Sequence, residues 1–168
     1  MHVLARPAHF DVHHAMPTWA RIAVGGSALA LADLAFAAAY WFLHSGLAPI
    51  RVAQGVASWV IGAHAAKANG LDSAIAGVLL YCAVVSAMVA GYARLASSWP
   101  TLHRHVLAAG IAYGVAMYGL LFRVIVPHFS AATVGANSAP LSWTIACLAA
   151  YAGIGLACAL IARHERSR

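Results

Sequence analysis

Charged residues are scarce in this sequence: Asp, Glu, Lys and Arg together make up 8% of its 168 residues. A soluble domain usually contains about 25% charged residues, most of them on the surface that faces water. Hydrophobic residues make up 63% of the chain, and its mean hydropathy is +0.80. We therefore expect an integral membrane protein whose first partner is the lipid bilayer.

Acidic residues are the scarcest charged group, with four Asp and Glu against ten Lys and Arg. In membrane proteins an excess of Lys and Arg marks cytoplasmic loops, so we interpret the basic balance as topology and expect no nucleic-acid partner. The sequence also lacks a nucleophile–base triad, a phosphate-binding loop and a pair of catalytic carboxylates. These absences argue against a hydrolase or a nucleotide-driven pump, and they make an enzyme the less favoured interpretation.

Four apolar runs are long enough to span about 30 Å of hydrocarbon. They cover approximately residues 20–43, 71–95, 105–127 and 141–162. Proline and glycine lie at their borders, and Pro127 is expected to end the third run. The predicted fold class is all-α, an integral membrane four-helix bundle that forms a single domain over residues 1–168.

Residues 49–67, between the first two spans, form an amphipathic helical pattern. Arg51, Gln54 and Ser58 fall on one stripe of this helix, while Val56 and Trp59 fall on the other. We expect an additional interfacial or re-entrant helix here, with a fifth span as the alternative. A fifth span would move the C-terminal arginines to the outside, against the charge distribution.

The Lys and Arg residues predict the orientation of the chain in the membrane. With residues 1–19 as a cytoplasmic tail, seven Lys and Arg lie inside and two, Arg51 and Lys67, lie outside. This distribution favours a cytoplasmic N-terminus and a cytoplasmic C-terminus.

Small residues predict how the helices pack, because helix association in lipid depends on close backbone approach. Gly110 and Gly114 form a GxxxG face on the third span, and Gly119 belongs to a second small-residue face of the same span. With two such faces, the third span is expected to lie centrally in the bundle. Gly26 begins a small-residue seam on the first span that also includes Asp33, so the Asp33 side chain is expected to face protein.

Asp33 is the principal candidate for a functional residue, because a carboxylate near the middle of a span is costly unless it is paired, protonated or close to water. Its expected partner is Arg123 on the third span, which would form an intramembrane polar pair with it. Two alternatives remain open from the sequence. Asp33 is either a relay for protons or ions, or a carboxyl group hydrogen-bonded to Tyr or Ser side chains.

Three histidines fall on the outer side in this topology: His44, His64 and His128. Together they are a candidate ligand cluster that could bind haem, a quinone or a metal ion. None of them belongs to a ligand motif such as HxxxH or CxxCH, and histidines are ordinary residues at the ends of spans. We therefore predict no metal and no cofactor, with haem or quinone as the alternative.

Three stretches, "APIRVAQGVASWVIG", "GLDSAIAGVLLY" and "YGVAMYGLLFRVIVPHFSA", together with Asp33, carry a resemblance to known proteins. Over about residues 20–132 the chain resembles a group of small, uncharacterised bacterial four-span inner-membrane proteins without assigned function. The resemblance implies four helices in a bacterial inner membrane. The sequence departs from that group at Tyr81, where the relatives carry His, and near Phe122 and Arg123.

Three functions are compatible with these features. The leading hypothesis is a small non-catalytic membrane protein, an accessory or assembly subunit of a larger complex or a self-associating bundle, held by an Asp33–Arg123 clamp. The second is a proton- or cation-coupled transporter or channel component in which Asp33 titrates. The third is a redox membrane protein that binds haem or a quinone through the outer histidines.

Overall fold

The computed structural model describes residues 17–131 and 140–166; most of the expected N-terminal tail and part of the last loop lie outside these residues. The described residues form helices without any strand. The helices are α1 (Thr18–Ser45), α2 (Pro49–Ile61), α3 (Ala63–Ala68), α4 (Gly70–Ser98), α5 (Val106–Gly119), α6 (Val126–Phe129) and α7 (Leu141–Arg166). A 3₁₀ helix, Pro100–His103, precedes α5, and a π-helical segment, Leu120–Ile125, joins α5 to α6.

Four helical stretches are long and apolar enough to cross a membrane: Thr18–Ser45, Gly70–Ser98, Val106–Phe129 and Leu141–His164. Each has large apolar side chains exposed on its outer side, for example Leu31, Leu79, Ile111 and Ile145. Exposed apolar surface on every span is the pattern expected where the surrounding solvent is lipid. The all-α, four-span fold predicted from the sequence is confirmed.

The additional helix predicted between the first two spans divides into α2 and α3 at Gly62, whose φ of +78° is a conformation that glycine adopts readily. The 13 residues of α2 extend over about 20 Å, too short to cross the hydrocarbon. The polar stripe of α2 is only partly exposed: Arg51 is exposed, but Gln54 and Ser58 are buried. Gln54 is buried against α4, where its Nε2 donates a hydrogen bond to the carbonyl of Gly70 at 2.7 Å, whereas Val60 on the opposite side is exposed.

The four spans pack as two close pairs, α1 with α4 and α5 with α7, and the two pairs meet along α4 and α7. A Cβ atom added at Gly26 would lie 2.5 Å from the Cα of Ser86, so α1 approaches α4 closely at this point. Gly110 and Gly114 pack in the same way against α7. The interior is filled mainly by side chains of α4 and α7, including Val85 and Cys158.

The prediction that the third span is central was wrong, since that span packs chiefly on α7 and it is α4 that contacts α1, α2 and α7. The second small-residue face of the third span is not covered by the rest of the described chain. Ala112 and Ala116 are exposed there, and a Cβ atom added at Gly119 would meet nothing within 4 Å. Gly119 is therefore not a packing glycine within residues 17–131 and 140–166.

Pro127 does not end the third span but lies inside it, between the π-helical segment and Phe129. Proline has no backbone N–H and its ring crowds the carbonyl four residues earlier, here that of Arg123. The helix responds by widening one turn: the N–H of Val126 bonds to the carbonyl of Leu121, five residues back. Such π-helical turns are often found beside functional sites, because they redirect the side chains of one turn.

Candidate functional site

A cavity of about 320 Å³ lies between α1, α2, α4, the π-helical segment and α7. Its walls are mainly apolar and aromatic, with few polar groups, as is common in small-molecule sites. The aromatic residues that line it are Trp41, Trp59, Tyr81, Phe122, Trp143 and Tyr151. Asp33 and Arg51 are its charged residues.

Asp33 is positioned in this cavity by the small-residue seam of α1. Gly26, Ala30 and Ala37 are buried on the same side of the helix, which allows α1 to lie close against α4. The two helices run in opposite directions, so a position seven residues after Gly26 on α1 lies beside a position a few residues before Ser86 on α4. This register places Asp33 next to Tyr81.

The hydroxyl group of Tyr81 donates a hydrogen bond to Oδ2 of Asp33. Its oxygen also lies 3.1 Å from the hydroxyl oxygen of Tyr151, on α7. Since Tyr81 has one proton and gives it to Asp33, the Tyr151 hydroxyl is the donor to Tyr81. The three side chains thus form a hydrogen-bonded chain from α7 through α4 to the carboxylate on α1, while Oδ1 of Asp33 accepts no hydrogen bond from the described residues.

The expected Asp33–Arg123 pair is not formed: Arg123 is exposed, and no ion pair joins the two side chains in the part of the chain that the structure describes. The reason is the helix arrangement. Asp33 lies on α1, whose main neighbours are α4 and α2, whereas the span that contains Arg123 packs on α7. The alternative in which Asp33 is hydrogen-bonded to tyrosine is the arrangement found.

A second aromatic group joins α1 to α7 nearer the end of α1. The ring centroids of Tyr40 and Trp41 lie 4.8 and 5.2 Å from that of Trp143. The Tyr40 hydroxyl also lies 2.7 Å from Oγ of Ser142. His44, one of the three outer histidines, is exposed and stacks on Tyr40 with a centroid distance of 5.6 Å. This group closes one end of the space between α1 and α7.

The other two outer histidines do not join His44. His64 is exposed on α3, and His128 is exposed near the end of the third span, where Nδ1 lies 2.9 Å from the carbonyl of Val124. Within residues 17–131 and 140–166, no group of three or more His, Cys, Asp or Glu side chains could hold a metal ion. The predicted ligand cluster is therefore not assembled as a metal site.

A groove of about 400 Å³ runs between α1 and α7 and reaches Asp33 from the side of the bundle. Here α1 and α7 are only loosely in contact. Apart from Asp33 the groove is lined by apolar residues: Leu29, Ala32, Phe36, Ala146, Ala149, Ala150, Gly153 and Ile154. Asp33 consequently lies at the boundary between the aromatic cavity and a groove that opens within the spans.

Of the charged and aromatic residues that line the cavity, only Asp33 was singled out as a site residue from the sequence. The residues that were missed are Trp41, Arg51, Trp59, Tyr81, Phe122, Trp143 and Tyr151. Both tyrosines are buried. A signal existed for Tyr81, since a hydrogen bond from tyrosine was one expected state of Asp33. No sequence pattern pointed to Phe122, whose position depends on the π-helical turn.

The four spans define a multi-pass α-helical membrane protein, and a polar chain ending in a carboxylate within the bundle is its candidate site. No family model, no curated protein and no solved structure matches the chain. Its function must therefore be argued from the cavity itself.

Proposed function

We propose that this protein is a component of a proton- or cation-coupled transporter or channel in which Asp33 is the group that exchanges its proton for a cation. The observation that carries the proposal is the placement of Asp33, half-buried in a cavity inside the spans and without an ion pair to any of the described residues. Acidic residues within membrane spans are rare and often mark proton or ion pathways, and the hydrogen bond from Tyr81 engages only one oxygen of Asp33.

The hydrogen bonds of Asp33 support this role. One carboxylate oxygen is held by Tyr81, which orients the group, while the other remains available to a proton or a cation. Tyr151 behind Tyr81 fixes the direction of the hydrogen-bonded chain. Because one oxygen is held by Tyr81, the carboxylate can exchange a proton for a cation at its other oxygen while the side chain keeps its position.

The test is proton flux in proteoliposomes. The purified protein is reconstituted with a pH-sensitive dye inside the vesicles, and a pH gradient is imposed with and without candidate counter-cations outside. We expect a flux from the wild-type protein that Asp33→Asn abolishes. The matched control is Asp72→Asn, the same chemical change at an exposed residue in the first turn of α4. An Asp33→Asn protein that folds and still supports the wild-type flux would contradict the proposal.

A second candidate is the accessory or assembly subunit, with other membrane subunits or a second copy of the chain as the partner. It is supported by the uncovered face of Ala112, Ala116 and Gly119, because small residues are typical of helix interfaces in membranes. Its test is purification in mild detergent at native expression level, with mass spectrometry of the eluate. Stoichiometric partners favour this role, and a protein that elutes alone as a monomer excludes it.

Binding of haem or a quinone by the outer histidines remains the third hypothesis. His44, His64 and His128 are exposed, so such a cofactor would lie at the surface rather than in the cavity. The visible absorption spectrum and a quinone extraction of the purified protein test it directly.

We also propose that the protein belongs to the uncharacterised bacterial four-span group that its sequence resembles, and lies in the inner membrane with both termini cytoplasmic. The distribution of Lys and Arg and the even number of spans support this orientation. Reporter fusions after α7 and after α3 test it: we expect cytoplasmic reporter activity from the first and periplasmic activity from the second.

A further inference from the structure

The residues that line the cavity restrict the kind of cation that can bind at Asp33. Besides the single carboxylate of Asp33, the cavity is lined by the indole rings of Trp41, Trp59 and Trp143. The face of an aromatic ring attracts a cation through its quadrupole, and tryptophan does so most strongly. A cavity lined by one acidic carboxylate and three indole rings can attract positive charge without coordinating it closely.

The cavity does not supply the set of ligands that a calcium or zinc ion needs. Calcium needs about six to eight oxygen ligands and zinc about four ligands. The cavity offers one carboxylate, the thiol of Cys147 and the hydroxyl groups of Tyr81 and Tyr151, and no group of three or more His, Cys, Asp or Glu side chains among the described residues could hold a metal ion. An organic cation, with its charge spread over a larger group, needs no such set of ligands.

The two openings favour an organic cation with apolar substituents. Arg51 lines the cavity where α2 begins, and its guanidinium is held by a 2.9 Å hydrogen bond to Oε1 of Gln54, so this side repels cations. The groove between α1 and α7 carries no basic residue and is apolar up to Asp33. A ligand that travels along it must have an apolar surface.

We propose that the cavity binds a monovalent organic cation that carries aromatic or alkyl groups, with its charge at Asp33 and its apolar part against the indole rings. This proposal rests on the proposed function, since it names the cation that takes the place of the Asp33 proton. The cation reaches the site through the α1–α7 groove.

The experiment compares two probes of the same shape. Benzyltrimethylammonium is cationic, and neopentylbenzene is its neutral isostere, with carbon in place of nitrogen. Binding to the purified full-length protein in detergent is followed by tryptophan fluorescence, since three of the five tryptophans line the cavity, and is corrected for partition into protein-free micelles. We expect the wild-type protein to bind the cation at least about tenfold more tightly than the neutral isostere.

Asp33→Asn is expected to remove this preference, while Asp72→Asn keeps it. Equal binding of the two probes by the wild-type protein, or no saturable binding of the cation, would overturn the proposal even if Asp33→Asn failed to fold. The outcome separates the two proposals. Asp33-dependent proton flux without cation binding overturns the ligand class alone, whereas cation binding without Asp33-dependent flux overturns the coupled transport and leaves the binding site.

Discussion

Helix α7 contacts α4, α5 and α1, and its contacts with α5 and α1 are opposite in character. Towards α5 it presents Gly155, which meets the backbone of Gly110 and Gly114 so closely that no side chain fits between the helices. Towards α1 it presents Gly153, at which an added Cβ atom would meet nothing within 4 Å. Glycine thus serves close packing on one side of the helix and leaves space on the other.

The α5 side of α7 contributes to the stability of the bundle, whereas its α1 side borders the candidate functional site. The α5–α7 contact gains its energy from van der Waals packing, the main source of helix association in lipid. The α1–α7 side gives up this packing, and the resulting space contains the carboxylate and the indole rings. The helix that is anchored on one side can therefore tolerate an open groove on the other.

The largest change in the free energy of unfolding is expected from Gly155→Ala, with Gly153→Ala as its matched control. The methyl group at position 155 would overlap the backbone of α5, and overpacking of this kind costs about 1–3 kcal/mol. At position 153 the same methyl group enters open space, so the free energy of unfolding should not fall and should rise by up to about 1 kcal/mol, because alanine is the better helix former. Unfolding by SDS in mixed micelles measures both. Equal losses would mean that the two sides of α7 do not differ as described.

A smaller effect is expected from Tyr81→Phe, with Tyr113→Phe as its matched control. Both changes remove a buried or half-buried hydroxyl that donates a hydrogen bond, to Asp33 in one case and to the carbonyl of Met88 at 2.8 Å in the other. Hydrogen bonds between membrane helices contribute about 0.6–2 kcal/mol, so both variants should lose similar stability. Only Tyr81→Phe should alter cation binding or proton flux. An equal functional loss in Tyr113→Phe would show that the effect is not specific to the cavity.

The smallest effect is expected from Tyr40→Phe, which removes the hydroxyl contact to Ser142 at the end of the α1–α7 groove. Because the contact is exposed, its loss should lower the free energy of unfolding by about 0.5 kcal/mol or less. A double-mutant cycle with Ser142→Ala isolates this contact. A coupling energy above about 1 kcal/mol would mean that the aromatic group, and not the α5–α7 packing, fixes the position of α7.

The spans and Asp33 could be predicted because they depend on properties of single segments. A long apolar run spans the membrane whatever its neighbours are, and an acid within it is unusual in any arrangement. Gly110 and Gly114 were likewise predicted as packing residues, since their spacing places both on one face of a helix. These inferences need no knowledge of which helices are adjacent.

The partner of Asp33 could not be predicted in the same way, because it depends on helix adjacency. Arg123 was the natural partner by charge, but α1 lies against α4, and Tyr81 is the residue in reach. The cavity wall at Phe122 depends in turn on the π-helical turn before Pro127, which was expected to end the helix. The first error arises because sequence periodicity describes the face of a helix and not the helix that it meets. The second arises because proline at the end of an apolar run was interpreted as the end of the helix, whereas the helix widens by one turn and continues.

The groove between α1 and α7 also determines the phase from which an apolar ligand can enter the cavity. Because it opens among apolar residues within the spans, a solute that enters the cavity by this groove comes from the bilayer, whereas the side lined by Arg51 is a separate opening. Partition into the acyl chains is then the first selection step for a ligand that uses the groove, because a solute excluded from the acyl chains is absent from the phase into which the groove opens. An affinity expressed per volume of water would change with the amount of lipid in the sample, whereas one expressed as a mole fraction in the membrane would stay constant.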